Sequence, residues 1–234
     1  MQGFEMDNEL LKEHGFIFIA NIVKLMEKGF EPFMAQLIPY LHTIIEESEI
    51  FKVISDDEGD DPNAQQPEED DDDEDADYRV NIMEGFISTK KAAITALGAL
   101  AEHTKSCFLP YLQNSVELLI TDHVGALYSF HDDIRAESVS VLDYFIEVLC
   151  EARGVKVPTK REVLQLPQDV LQLTAASFKS CVHILIKDDE KVPVSNALET
   201  IHAILKRLGP VVLTLPVTDE NNENPKPFAS ILLD

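Results

Sequence analysis

Carboxylates supply most of the chemistry in this chain. Between Asp56 and Asp77 stand Asp56, Asp57, Glu58, Asp60, Asp61, Glu68, Glu69, Asp70, Asp71, Asp72, Asp73, Glu74, Asp75 and Asp77, with no lysine or arginine among them. Such a run attracts cations, and two kinds come into question. A calcium loop needs oxygen ligands at alternating positions around a glycine turn, and this run lacks that spacing. A lysine- or arginine-rich protein segment needs only a dense negative field. The stretch has no large apolar side chain, so it cannot offset the entropy of ordering and reads as a disordered, self-repelling acidic loop. A sparser set of acids, Glu46, Glu47, Glu49, Glu117 and Asp122, falls at the ends of expected second helices, on the inner face of a helical array. A grip on a basic partner would then be electrostatic and shared between the arm and these acids. Each inner acid taken singly is an ordinary solvated charge.

The remaining residue types point away from catalysis. The nine glycines are scattered as helix stops, so no phosphate-cradling loop forms. There is no Gly-x-Ser-x-Gly elbow and no His-Glu-x-x-His. His14, His42, His103, His123, His131, His183 and His202 never stand at metal-ligand spacing and read as helix-surface or loop histidines. Cys107, Cys150 and Cys181 are widely spaced in apolar helical patterns, which suits buried thiols in a reducing compartment rather than a disulfide framework or zinc site. Tryptophan is absent, so the stacked Trp and Asn arrays of armadillo-type peptide receptors cannot be built. The reading is a binding protein, not an enzyme, with no cofactor and no metal.

Charge narrows the partners. The net charge is −24; with 14 of the 43 acids in the arm, 29 remain elsewhere against 19 basic residues. Nucleic acid and anionic membranes are poor partners for that field, and Lys160-Arg161 is too short a pair to make a nucleic-acid patch. No signal peptide is expected after Met1, and the longest apolar run, Phe16 to Ala20, is far too short to insert in a membrane.

The elements that must position these acids are helices. Glu9 to Lys28 carries Leu11, Phe18, Ile22, Leu25 and Met26 at helical spacing, with Gly29 as its stop. Pro32 opens a second helix striped by Phe33, Leu37, Ile38, Leu41, Ile44 and Ile45, and Pro39 inside it should kink it. After the arm, Ile82 to Thr104 is striped by Phe86, Ala93, Ile94, Leu97, Leu100 and Ala101. Pro110 opens a fourth helix; Asp133 to Ala152 forms a fifth, with Val139, Leu142, Phe145, Ile146 and Leu149. Pro167 and Pro193 open two more. Val211 to Val217 reads as a loop, and no strand is expected.

The helices come in similar pairs. Phe30-Glu31-Pro32-Phe33 and Phe108-Leu109-Pro110-Tyr111 share a pattern at a spacing of 78. Subtracting roughly 30 residues of arm leaves a period near the ~40–47 of a two-helix HEAT repeat. Lys90, Ala93, Ile94 and Leu97 align with Arg135, Ser138, Val139 and Leu142 at a shift of 45. The expected fold is all-α, an α-α superhelix of the HEAT/armadillo type, with repeats at 9–51, 81–128 and 131–188, the acidic loop at 52–80 and a partial repeat at 190–234 truncated at its C-terminus. Phe108, Pro110, Leu142, Phe145 and Leu198 are expected in the core. Neither end carries a polar capping repeat, which suggests a piece of a longer solenoid.

Several motifs carry a resemblance. In order they are the acidic arm, Tyr78-x-Val80, Ala96-Leu97-Gly98-x-Leu100-Ala101-Glu102, Cys107-Phe108-Leu109-Pro110-Tyr111-Leu112 and Asp133-Ile134-Arg135-Ala136. This order resembles the central region of importin-β (karyopherin-β) family nuclear transport receptors, in particular the importin-four branch, over most of Glu9 to Leu208. Thr214-Leu215-Pro216 with a following short helix is similar too. Lys90-Lys91 departs from the pattern, where an acid-rich helix start is expected. The resemblance implies a carrier that takes basic cargo such as histones or ribosomal proteins. Such a carrier shuttles between cytoplasm and nucleus through contacts with phenylalanine-glycine nucleoporins, and the full-length receptor releases its cargo to Ran-GTP. Independently of that family, in a HEAT repeat an arginine at the place of Arg135 pairs with an acid of a neighbouring repeat. The competing reading is a structural HEAT scaffold subunit whose acidic loop serves solubility only.

Overall fold

A computed structural model describes residues 8–47, 72–156, 165–219 and 222–232, with the side chains of 72–83, 219 and 222–224 left out. The helices are α1 (Glu9–Met26), α2 (Glu31–Glu46), α3 (Asp72–Thr104), α4 (Leu109–Ile120), α5 (Asp132–Ser140), α6 (Leu142–Ala152), α7 (Gln168–Lys187) and α8 (Lys191–Leu208). A two-stranded hairpin, β1 (Pro216–Asp219) and β2 (Asn222–Pro227), and a short helix α9 (Phe228–Ile231) follow. The fold is an all-helical repeat solenoid with a small C-terminal hairpin. In one layer α1 packs on α3, α3 on α5 and α6, and α5 on α8. In the other, α2 packs on α4 and α4 on α7, while α6–α7 and α7–α8 contacts join the layers.

Local chemistry accounts for the repetition. The Asn8 side chain accepts the Leu11 N–H at 3.0 Å and starts α1. The helix ends at Met26, and the reversal falls on Glu27, at φ 48° and ψ −130°, not on Gly29. A 3₁₀ turn, Glu27–Phe30, then leads into α2, whose first turn carries Pro32. Seventy-eight residues on, Lys105 at φ 54°, the 3₁₀ turn Lys105–Phe108 and Pro110 in the first turn of α4 reproduce the same corner. Phe30 and Phe108 are the buried pivots of the two corners. Pro110 itself is exposed, against the expectation that it is core, because a proline at a helix start sets φ and needs no burial.

Several elements depart from the sequence reading. The third helix begins at Asp72, not Ile82, so the last arm acids belong to a helix. Carboxylates near a helix N-terminus meet the positive end of its dipole, which favours that extension. Helix α1 has two apolar faces: Phe16, Ala20 and Val23 are buried, while Leu11 (43%), Phe18 (65%), Leu25 (82%) and Met26 (40%) of the expected stripe are exposed. The stripe was real, but the described chain packs on the opposite side. Leu198, expected in the core, is 52% exposed for the same reason; Ala197, Ile201 and Ile204 take the buried face of α8.

Asp133 to Ala152 is split at Val141. Ser138 Oγ donates to the Ile134 carbonyl at 2.7 Å and Ser140 Oγ to Ala136 at 2.8 Å, competing for ladder acceptors just before the break. Gly98 of α3 lies against this point: a Cβ there would stand 2.5 Å from Val141 Cγ1. Pro39 sits inside α2, which continues through it.

Val211 to Val217 is not a plain loop. It forms a 3₁₀ turn, Pro210–Thr214, and enters β1, which pairs antiparallel with β2 through Val217 and Lys226. With both strands at an edge, the two prolines of β2 interrupt no inner ladder, which is how so polar a segment can be a strand. Strand β1 packs on α7, and Phe228 stacks on Phe178 with ring centroids 3.8 Å apart and planes 9° apart. Phe108, Leu142 and Phe145 are fully buried as expected, and the Phe108 and Phe145 rings stack at 5.8 Å.

Candidate functional site

The ends of α2 and α4 frame an open groove of about 620 Å³, floored by α3 and closed on one side by the 121–131 loop. Three of the acids singled out from sequence, Glu46, Glu47 and Glu117, line it. The first two lie at the C-terminal end of α2 and the third in the last turn of α4. The negative ends of two helix dipoles therefore add to the carboxylates. Asp122, the fourth described acid, does not line the groove: Lys179 Nζ (2.6 Å) and the Tyr128 hydroxyl (2.8 Å) occupy its carboxylate. Those two donors, the ammonium first, hold its carboxyl below the ordinary value. Glu49 and arm residues 56–71 fall outside the described residues. Asp72, Asp73, Glu74, Asp75 and Asp77 ride the first turns of α3, with side chains undescribed.

The floor holds a lysine where the importin-like pattern led us to expect acids. Lys90 is 6% exposed, donates to the Glu47 carbonyl at 3.0 Å and lies 5.8 Å from the Phe86 ring centroid. It caps the C-terminal end of α2, a natural place for a cation. Its neighbour Lys91 reaches Asp133 of α5 at 3.0 Å. Both lysines thus join successive helix pairs. On the groove wall His42 Nε2 meets Ser115 Oγ at 2.9 Å, linking α2 to α4. Because Ser115 already donates to the Tyr111 carbonyl, the histidine ring nitrogen is the donor in this pair. Burial pushes the His42 imidazole below its ordinary value, against the pull of Glu46, which leaves it neutral at pH 7.

The loop closing the groove is held rigidly. Thr121 caps α4, and the Gly125 N–H donates to the Thr121 carbonyl at 2.8 Å. A Cβ on Gly125 would lie 2.5 Å from the Leu119 carbonyl oxygen, so only glycine permits this approach. Further along, Arg135 Nη1 donates to the Ser129 and Phe130 carbonyls at 3.0 and 2.8 Å. The same guanidinium forks onto Asp188, between α7 and α8, at 2.6 and 2.9 Å. Asp188 closes the 131–188 repeat expected from sequence, so the pairing falls within that repeat and not on a neighbouring repeat's acid as the repeat type led us to expect. Burial alone would raise the Asp188 carboxyl; the Arg135 fork and the Glu190 N–H override it and hold it below the ordinary range. Between these anchors the side chains of Val124 and Phe130 stand 84% exposed at the groove's edge.

Sequence reasoning missed Val124 and Phe130. The available signal was that both are large apolar residues on no helical stripe, inside a polar connection. Among the described residues no group of three or more His, Cys, Asp or Glu is placed to hold a metal ion, and no helix is long and apolar enough to cross a membrane. Cys150 and Cys181 are buried, and burial pushes their thiols up to about 11 and about 12, far from reactive thiolates. Cys107 is only half-buried, contrary to the expectation for all three.

No family model matches the chain. Over 150 residues it is 25% identical to a Schizosaccharomyces pombe protein described as probable importin subunit beta-4, and the match covers 60% of this chain and 14% of that protein. The chain thus resembles an importin-β subunit and spans a small part of the relative's length.

Proposed function

We propose that this chain is part of an importin-β-type nuclear transport receptor, a carrier rather than an enzyme, that takes basic proteins such as histones or ribosomal proteins as cargo. The observation that carries the reading is an acidic helical solenoid in which Glu46, Glu47 and Glu117 converge on one groove beside the root of the acidic arm. The similarity to a protein described as an importin subunit supports it independently. In this reading the Asp56–Asp77 carboxylates raise the local concentration of a basic tail within about a Debye length, ~8 Å at physiological ionic strength. Phenylalanine-glycine nucleoporins and Ran-GTP act on the whole receptor, which shuttles between cytoplasm and nucleus.

The test is a pull-down of the full-length protein with a histone tail, with and without Ran-GTP. Release by Ran-GTP is expected. Cargo that stays bound whatever the nucleotide state identifies a constitutive scaffold and refutes the carrier. Deleting residues 56–71 should slow association and flatten its salt dependence while leaving the fold intact.

A further inference from the structure

We propose that the groove between the ends of α2 and α4 is a docking site for a segment of a basic protein in which a lysine or arginine adjoins an apolar side chain. The cationic group is seated between Glu46 and Glu117, and the apolar one packs on Phe130 and Val124. The proposal deepens the carrier reading and rests on it for the kind of partner.

Two independent features carry it. The first is charge. Glu46, Glu47 and Glu117 face a single described lysine in the groove, Lys90, whose ammonium already serves the Glu47 carbonyl. The seat itself is made by Glu46 and Glu117, which bring a carboxylate each from the ends of α2 and α4. Two helix C-termini deepen that field.

The second feature is apolar and owes nothing to the acids. Phe130 and Val124 each leave 84% of their surface in water. They are not carried on a slack loop, because Arg135 pins the Phe130 carbonyl and is itself pinned by Asp188. A large ring displayed on a fixed backbone loses little entropy on contact, which is the character of an interface anchor. A purely electrostatic surface has no use for such a ring, and a purely apolar partner has no use for the carboxylates around it. A cation next to an aliphatic or aromatic residue satisfies both at once.

The experiment uses the full-length protein and fluorescein-labelled peptides, one alternating lysine with leucine and one with every leucine replaced by serine, read by fluorescence anisotropy. Wild type should bind the leucine peptide at least tenfold more tightly. Phe130→Ser should erase roughly that tenfold preference, the size of one good anchor. Because the ring is exposed, this variant should melt like the parent. Glu46→Gln with Glu117→Gln should weaken both peptides and flatten the salt dependence. Equal binding of the two peptides by wild type overturns the proposal, as does an unchanged preference in Phe130→Ser. The carrier reading is judged separately by Ran-GTP release. Release with groove variants that bind like wild type removes the groove and leaves the carrier; groove-dependent binding that Ran-GTP never displaces does the reverse.

Discussion

Arg135→Ala should be the most damaging single truncation in the described charged network. The side chains of Arg135 and Asp188 are 17% and 3% exposed, so solvent screens their attraction little. The substitution removes two charge-assisted bonds to Asp188 and two donations to the Ser129 and Phe130 carbonyls. The Phe130 carbonyl can turn to water, but among the described residues the Asp188 carboxylate keeps the Glu190 N–H at 3.0 Å as its hydrogen-bond donor. Breaking one partner of such a pair costs about 3–5 kcal/mol, and the surviving N–H bond puts the expectation near the lower end, about 3 kcal/mol. Arg135→Lys should restore less than half, since an ammonium cannot fork onto two oxygens and also reach the loop carbonyls.

The assay is urea unfolding followed by far-ultraviolet circular dichroism at pH 7, with Asp188→Asn and the double variant closing a cycle. The double variant should lose clearly less than the sum of the singles. The pH dependence has a definite sign. The folded Asp188 carboxyl lies below its unfolded value. The pair's contribution is therefore complete above about pH 4 and is lost as pH falls through the lower, folded value. A loss under about 1 kcal/mol, or strictly additive singles, would refute the claim that this pair ties α5 to the connection between α7 and α8.

Three further outcomes are expected. Gly98→Ala drives a methyl to 2.5 Å from Val141 Cγ1 and should cost about 1–3 kcal/mol in a thermal melt, with Val141→Ala in the same chain recovering part of it; an unchanged melting temperature contradicts the close approach of α3 to the helix break. Glu27→Gly relieves a non-glycine residue held at φ 48° and should raise stability by about 1 kcal/mol, whereas Gly29→Ala, whose Cβ meets nothing within 4 Å, should not weaken the corner. His42 is held below its ordinary value by burial, so the unfolded chain takes up its proton first and stability should fall as pH drops from 7 through about 6.5; a His42→Gln chain that shows the same slope in urea midpoints argues against that assignment.

Much of the scaffold was legible because long amphipathic helices declare themselves. Phe86, Ile94, Leu97 and Leu100 share a face, and Val139, Leu142, Phe145 and Leu149 another, whatever lies beyond them. The recurring corner was readable from two aromatic-proline motifs 78 residues apart. What sequence could not settle was which apolar face is covered when a helix has two, as with α1, since periodicity gives spacing and not the identity of the neighbour. The Gly29 stop failed because the helix ends at Met26 and the exposed Glu27, its N–H bonded to the Val23 carbonyl, takes the positive φ that propensity assigns to glycine. The hairpin failed because a four-residue strand and a proline-bearing partner leave no period to detect. For the groove, the acids were visible one by one. Their convergence, the capping by Lys90 and the display of Phe130 depend on contacts between helix pairs.

The ring of Phe178 rests on that of Phe228, fifty residues further along the chain, and both are fully buried. That separation has a consequence in time. During synthesis, at about 5–20 residues per second, α7 leaves the ribosome several seconds before the residue that covers it. For that interval the Phe178 ring lacks its stacking partner, and Val217 of β1, which packs on α7, also arrives late. The packing around α7 therefore cannot be completed in step with its emergence, and a nascent chain halted at Gly209 should be a form that chaperones hold.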